Sequence, residues 1–526
     1  MKKQITKHFM AFFLSLVMIM AMGLTAFANG DTKTGGETAY SLTLKGTAIG
    51  HKYQTYQIFQ GDLSTKTING QEVKVLSNVQ WGRGVTYKDT DSAADVAKKL
   101  GDGDMDIDRL VQNLNLTTPY SETNSTQGTT VINNLAAGYY LVKDEDESLV
   151  NKHDSYTKFI VQVVGNTEAD IKSDVPTVEK KVKDTNDSKG ETSDWQDSAD
   201  ADINDQVEYK ITGTLPDNYK DYTKYSYVFT DTMSKGLTYT ASTDGKKSFK
   251  VTLYNSDDDK DGTNITDHFN EVIAGYAGDD PEYTGGKVIT WTEKDSKGLK
   301  DIPQITESSK IVITYNATLN KDAKIGAAGN PNKVDLTFSN NPNIGHEGEN
   351  GKTPEDKNIV FTYKVVVNKV DQDQQSLAGA AFKLQKKVND KYIDISEIGP
   401  KNANQQDITT FEFTGLDDGE YKLTETTTPA GYNTITPIEF TISAEHDTES
   451  ADPKLTKLSG NATSGEATFT VDDKLSSLTT NVVNKKGSIL PSTGGCGTTM
   501  IYIIGAALVI TAGVVLVMRK KMNSDK

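Results

Sequence analysis

Along most of the chain apolar and polar residues alternate with a period of two. This is the pattern of half-buried strands, whose successive side chains face opposite sides of a sheet. It opens at Tyr40-Ser41-Leu42-Thr43-Leu44 and returns at residues 53–59, 138–142 and 159–164. Between these strands, residues 92–100 and 106–114 place Leu110, Val111 and Leu114 at helical spacing, which predicts a small helical insert in a β domain. Alternation resumes at 206–212, 225–230, 249–254, 287–292, 310–317 and 333–339, with Gly, Asn and Asp between the runs. A third series lies at 382–384, 392–395, 410–413, 421–423, 438–442, 467–471 and 480–484. Regularly spaced short strands of this kind read as β-sandwiches. The expected fold class is therefore all-β, with tandem sandwich domains at 29–172, 173–360 and 361–489, the first carrying the helical insert.

Two polar stretches punctuate the strands. Residues 165–174, ahead of Val175-Pro176-Thr177, have the composition of a hinge, and Lys172 stands in it. Residues 184–205 are acidic and read as a mobile loop too charged to bury.

The ends break the period. Lys2, Lys3 and Lys7 precede an apolar run over 9–21 that closes at Ala26-Phe27-Ala28, the pattern of a signal peptide cleaved after Ala28. At the other end an uncharged run from Met500 to Met518 precedes Arg519-Lys520-Lys521. At about 1.5 Å per residue it crosses a hydrocarbon core of roughly 30 Å, with the basic cluster on the cytoplasmic side. Just before it stands Leu490-Pro491-Ser492-Thr493-Gly494.

Composition narrows the chemistry. A net charge of −17 repels phosphate backbones and argues against nucleic acid as a partner. The single cysteine, Cys496, lies beyond Gly494, so a disulfide, a thiolate metal site and a cysteine nucleophile are all excluded from the exported domains. The histidines are scattered without metal or triad spacing. Asp257, Asp259, Asp261 and Gly262 begin like a calcium loop, but position twelve is His268, and the stretch reads as a solvated acidic turn. Neither a metal, a cofactor nor a turnover site is expected, and the chain does not read as an enzyme.

The anomaly is one of phase. Lys369 shares a strand face with Val365 and Val367, Glu425 with Tyr421 and Leu423, and Asn484 with Val482. In the middle domain Lys180 is in phase with Val178 and Val182, Asp231 with Tyr227 and Phe229, and Asn332 with Val334, Leu336 and Phe338. A lone buried charge costs several kcal/mol, so these residues need partners. Lys, an acid and Asn together also permit a reaction. Burial lowers the amine pKa and raises that of the acid, which frees a nucleophile while the acid polarises the Asn amide. Attack on the Asn carbon, loss of ammonia and closure of an amide would join two strands in a single turnover, with Asp231 and Glu425 in acid–base roles. Lys181 competes with Lys180, and phase alone separates them. Lys45 is out of phase with Leu42 and Leu44, so no bond is expected in the first domain.

These motifs carry family resemblances. Leu490-Pro491-Ser492-Thr493-Gly494 with its helix and basic tail resembles a Gram-positive cell-wall sorting signal, which implies that a sortase cuts after Thr493 and passes its acyl group to an amine. Val367-Asn368-Lys369-Val370-Asp371, Leu423-Thr424-Glu425-Thr426 with Pro429-Ala430-Gly431-Tyr432, and Val483-Asn484 resemble a collagen-adhesin B-type Ig-like domain. Residues 178–182, 229–237 and 332–342 resemble the isopeptide-forming middle domain of sortase-assembled pilins. Together they imply the backbone subunit of a covalent pilus, secreted, briefly held in the membrane, and then attached to neighbouring subunits and to peptidoglycan. Lys172 would be the linking amine, although it stands in Asp170-Ile171-Lys172-Ser173-Asp174 in place of the family's Tyr-Pro-Lys-Asn. The shaft would support adhesion and colonisation. The alternative is a monomeric wall-anchored adhesin that binds a host surface ligand directly.

Overall fold

A computed structural model describes residues 33–34, 37–68, 71–105, 107–149, 151, 153–171, 175–344, 350–487 and 496–522. The signal segment 1–28, Lys172 and the pentapeptide 490–494 lie outside the described residues. The described chain is overwhelmingly β, and its strands pair in three sequence-local groups.

The first group forms a five-stranded sheet from Lys158–Val163, Gly138–Asp144, Lys52–Ile68, Gln71–Trp81 and Ser121–Asn124. A three-stranded sheet of Thr167–Asp170, Tyr40–Thr47 and Gly128–Leu135 accompanies it. Leu42, Leu44, Tyr140, Val142 and Val163 make one buried cluster. Val96, Leu110 and Leu114 make another with Ile58 and Phe59. The helix Ala93–Asp102 starts at Ser92, whose side chain accepts the Asp95 amide hydrogen, and stops at Gly103 in the left-handed region at φ 77°. Lys45 lies on the exposed face, 2.6 Å from Glu168.

The second group is a two-sheet sandwich. One sheet runs Val178–Val182, Gln206–Thr214, Lys310–Leu319, Phe249–Tyr254 and Thr263–Asn264, with Leu237–Tyr239 on Lys310–Leu319. The facing sheet runs Ser198–Asp200, Asp356–Phe361, Asn330–Ser339, Tyr227–Met233, Lys287–Glu293 and Phe269–Gly275, with Asn350–Lys352 on Asn330–Ser339. Trp291, Tyr209, Tyr227 and Phe229 fill the space between, each fully buried. Burying such side chains stabilises by roughly 1.5–3 kcal/mol apiece.

The third group is a sandwich of Thr410–Leu416, Tyr363–Asp371, Ser477–Asn484 and Thr470–Val471 against Lys391–Ile398, Ala381–Val388, Gly419–Thr427, Ile438–His446 and Leu455–Ser464. By packing, the described residues fall into two compact units. One holds the first two groups together with His446–Thr456, and the other holds Asn186–Glu191 and the rest of the third group.

Two expectations need correcting, and one strand went unread. Residues 184–205 are not an unburied loop: Ser198–Asp200 pairs in parallel with Asp356–Phe361, and Asp197, Ser198 and Asp200 are buried. They can be buried because partners are present; Asp197, for example, meets Lys181 at 2.9 Å and accepts the Ser450 amide hydrogen at 2.7 Å. Part of the hinge is also a strand, since Thr167–Asp170 pairs in parallel with Leu42–Lys45. The strand Leu455–Ser464 was not legible, because its apolar residues do not keep the two-residue period.

Candidate functional site

In the second group the facing sheets each contribute half of a buried polar cluster. Lys180, opposite Ile211 in the ladder, and Tyr315, opposite Tyr209, come from one sheet. Asp231, opposite Val334, and Asn332, opposite Met233, come from the other. Lys180, Asp231 and Asn332 are each at most 1% exposed. The Lys180 amine donates to Asp231 Oδ2 and, at 2.6 Å, to Tyr315 Oη. Tyr315 Oη donates to Asp231 Oδ2 at 2.8 Å and accepts from Asn332 Nδ2 at 3.0 Å. The rings of Tyr209 and Tyr315 are stacked, 5.3 Å apart and 9° from parallel. The amine lies 5.0 Å and 5.1 Å from their centroids, as in a cation–π contact. Among the described residues, Asp231 Oδ1 and Asn332 Oδ1 have no hydrogen-bond partner.

Burial dominates the electrostatics. It pulls the Lys180 amine below its ordinary pKa against the attraction of Asp231, and pushes the Asp231 carboxyl up against the attraction of Lys180. Both shifts favour a neutral amine beside a neutral acid. Lys181 points elsewhere. It pairs with Asp197 at 2.9 Å and with Glu449 at 3.1 Å. Although burial opposes its charge, hydrogen bonds to these two acids hold its pKa above the usual value.

In the third group the amine and the amide come from one sheet. Tyr363–Asp371 and Ser477–Asn484 run in parallel, with Lys369 opposite Val482 and Asp371 opposite Asn484. Glu425 reaches in from Gly419–Thr427 of the other sheet. Lys369 and Asn484 are fully buried and Glu425 is 5% exposed. Asn484 Nδ2 donates to both Glu425 oxygens, at 2.9 and 3.1 Å. One of those oxygens also accepts from Thr428 Oγ1 and the Ile435 amide, each at 3.2 Å. Lys369 Nζ donates to the carbonyls of Val482 at 2.8 Å and Val370 at 3.0 Å. Burial pulls its pKa down to about 8, against the attraction of Glu425 and Asp371. Asn484 Oδ1 has no hydrogen-bond partner among the described residues.

Sequence phase pointed to Lys180, Asp231 and Asn332 and to Lys369, Glu425 and Asn484, but it missed Tyr315. That residue is in phase with Ile311, Ile313 and Ala317 and reads as an ordinary core aromatic. Asp257 is taken up by an ion pair with Lys310, and Asp259 closes a turn by accepting the Gly262 amide hydrogen at 3.0 Å. Within the first unit, carboxylate and imidazole atoms close enough to share a cation occur at Asp184, Asp200 and His446, all within 4.8 Å of one another.

Residues 363–457 match the family model described as SpaA, prealbumin-like fold domain. The trypsin-resistant surface T6 protein of Streptococcus pyogenes serotype M6 is 29% identical over 379 residues, covering 59% of this chain and 68% of that protein. The T6 backbone pilin of the same serotype, described as a modular three-domain structure with variable loops and extensions, shares the fold. Its TM-score is 0.51 at 19% identity, with 87% of this chain and all of that one covered. At the C-terminal end, the helix Cys496–Met522 contains a span, Ile501–Lys520, long and apolar enough to cross a membrane. In sequence the chain is similar to a streptococcal surface protein, and in fold to a streptococcal backbone pilin.

Proposed function

We propose that the chain is the shaft subunit of a covalent cell-surface pilus, polymerised by a sortase through Thr493 and Lys172 and stiffened by two internal amides. Lys180 would join Asn332 with Asp231 as acid, and Lys369 would join Asn484 with Glu425 as acid. The observation that supports this reading best is the recurrence of one buried trio of amine, carboxyl and amide in two sandwiches, with different residues and different sheets supplying the parts. A hydrogen-bonded core cluster needs no such repetition. A shaft one molecule thick, by contrast, passes load through every subunit and is weakened by any domain that can unravel.

The test is intact mass. Each closure expels one ammonia, about 17 Da, so the recombinant region from Asn29 to Thr493 should fall short of its sequence mass by two such losses. A full sequence mass would remove the isopeptide reading. Immunoblots of the cell wall should in addition show a ladder of high-mass species, and a single band would favour a monomeric adhesin.

A further inference from the structure

We propose that Tyr315 is a catalytic residue of the middle-domain closure, carrying the proton from the attacking Lys180 nitrogen to the departing Asn332 nitrogen. The inference rests on the isopeptide reading above and adds a fourth participant to it.

The two sites differ in who touches the leaving group. In the third domain Glu425 contacts the Asn484 amide nitrogen with both oxygens and can deliver a proton to it directly. In the middle domain the amide nitrogen of Asn332 donates to the phenol oxygen of Tyr315, although the Asn332 amide also favours the charged form of the nearby Asp231 carboxylate. That oxygen stands 2.6 Å from the attacking nitrogen, 3.0 Å from the departing one and 2.8 Å from Asp231 Oδ2. It is therefore placed to accept from the first and donate to the second. The ring is fixed by stacking on Tyr209, so the hydroxyl is held in place without freedom to swing away.

The steps balance. Asp231 takes one proton from the Lys180 ammonium. The free amine bonds to Asn332 Cγ, and its nitrogen becomes positively charged as the carbonyl oxygen becomes negative. Tyr315 Oη takes a proton from that nitrogen and gives one to Nδ2. The C–Nδ2 bond then breaks, the carbonyl re-forms, and neutral ammonia leaves. Tyr315 ends as the phenol it began as, and Asp231 keeps its proton for release to solvent or to the ammonia.

The test uses the whole exported region made in a cell-free system, sampled over time, quenched in denaturant, digested and weighed. The third-domain bond serves as an internal clock. Tyr315→Phe keeps the ring and removes the hydroxyl. It should slow the Lys180–Asn332 bond by roughly a hundredfold, the scale of general acid–base catalysis, while the Lys369–Asn484 bond forms at the wild-type rate and near-ultraviolet circular dichroism stays native. Formation of the middle bond at the wild-type rate would overturn the proposal. A second variant covers a folding failure: 3,5-difluorotyrosine at 315 keeps the hydroxyl and acidifies it, and should move the pH profile of middle-bond formation, whereas a merely structural hydroxyl would leave that profile in place. If the wild-type chain itself shows no ammonia loss from the middle domain, the isopeptide reading fails there whatever Tyr315 does.

Discussion

Two buried lysines illustrate how the same residue type is held in different states by its neighbours. Lys180 faces an acid that has no other ionic partner among the described contacts, so removing either member strands the other in the core. Lys180→Met should therefore cost roughly 1–3 kcal/mol, because the buried Asp231 carboxyl, already pushed toward its neutral form, loses a hydrogen-bond partner. Asn332→Ala leaves the pair intact and should cost clearly less. Both variants lack the bond, so their difference in chemical denaturation isolates the lost partner of Asp231, and equal stabilities would show that the Lys180–Asp231 contact adds nothing to the fold. Lys369 has no direct ion pair among the described contacts, and its pKa of about 8 sets how much free amine is present before closure. A group whose folded pKa is depressed is increasingly protonated as pH falls through that value. Closure of Lys369 onto Asn484 in newly made chains should thus slow by about tenfold per unit below pH 8, read by mass in quenched samples, and a flat profile between pH 6 and 8 would contradict it. These lysines were legible because a charged residue in apolar phase is conspicuous. Tyr315 was not, since a tyrosine in phase with isoleucines is what a core strand ordinarily contains, and its role depends on which strand of the facing sheet lies opposite.

At the scale of elements the sequence gives strand positions well and strand partners poorly. Alternation located Phe249–Tyr254 and Lys310–Leu319 because each has one face in the core. It could not say that Lys180 and Asn332 come from opposite sheets while Lys369 and Asn484 sit on adjacent parallel strands, because pairing is set by long-range contacts that no local period encodes. The middle-domain bond would clamp sheet to sheet, and the third-domain bond would lock the first strand of its sandwich to the last. Among the described residues the first group shows no such trio, and its buried polar group behaves differently. His51 is held by Asp144 at 3.1 Å, with Asp154 at 3.8 Å, and it stacks on Tyr53. Burial opposes its charge, but the hydrogen bond and the two carboxylates outweigh that and raise its pKa above 6.5. A raised folded pKa contributes stability that is complete below pH 6.5 and fades as pH rises through the folded value. Hydrogen exchange of the first domain should therefore quicken as pH rises above 6.5 by more than the intrinsic rate accounts for. His51→Gln should remove that excess, and an unchanged excess would assign it to another group. Asp144 and Asp154 also bring this cluster to the second group: the carbonyl of Asp154 accepts from Asn340 at 3.2 Å, and the Tyr156 amide donates to the Asn340 carbonyl at 2.8 Å. Loosening at His51 should thus be felt first in residues 153–158.

For the whole molecule, the issue is where tension enters and leaves. In the proposed shaft, one subunit's Thr493 pulls on the Lys172 of the next, so load enters between the first and second domains and leaves beyond the third. Lys180 lies only a few residues after that entry point and Asn484 only a few before the exit, so both amides stand directly on the loaded path. The first domain lies off that path, which agrees with its lack of an in-phase trio. In the sequence Lys172 follows Thr167–Asp170, which pairs with Leu42–Lys45, and precedes Val178–Val182, which pairs with Tyr209–Gly213. A lysine with an ordinary pKa near 10.4 is mostly ammonium at neutral pH, so a sortase using one as the acceptor has to help remove its proton. Lys172→Ala should leave folding, both internal mass losses and wall attachment through Thr493 intact, while abolishing the polymer ladder. Thr493→Ala should abolish the ladder and wall attachment together. Tandem mass spectrometry of a digested polymer should find a branched peptide joining Thr493 to Lys172. Lys180 would already be consumed, and Lys181 is held by Asp197 and Glu449, so a branch at either would contradict the geometry of the middle domain as well as the choice of linking amine.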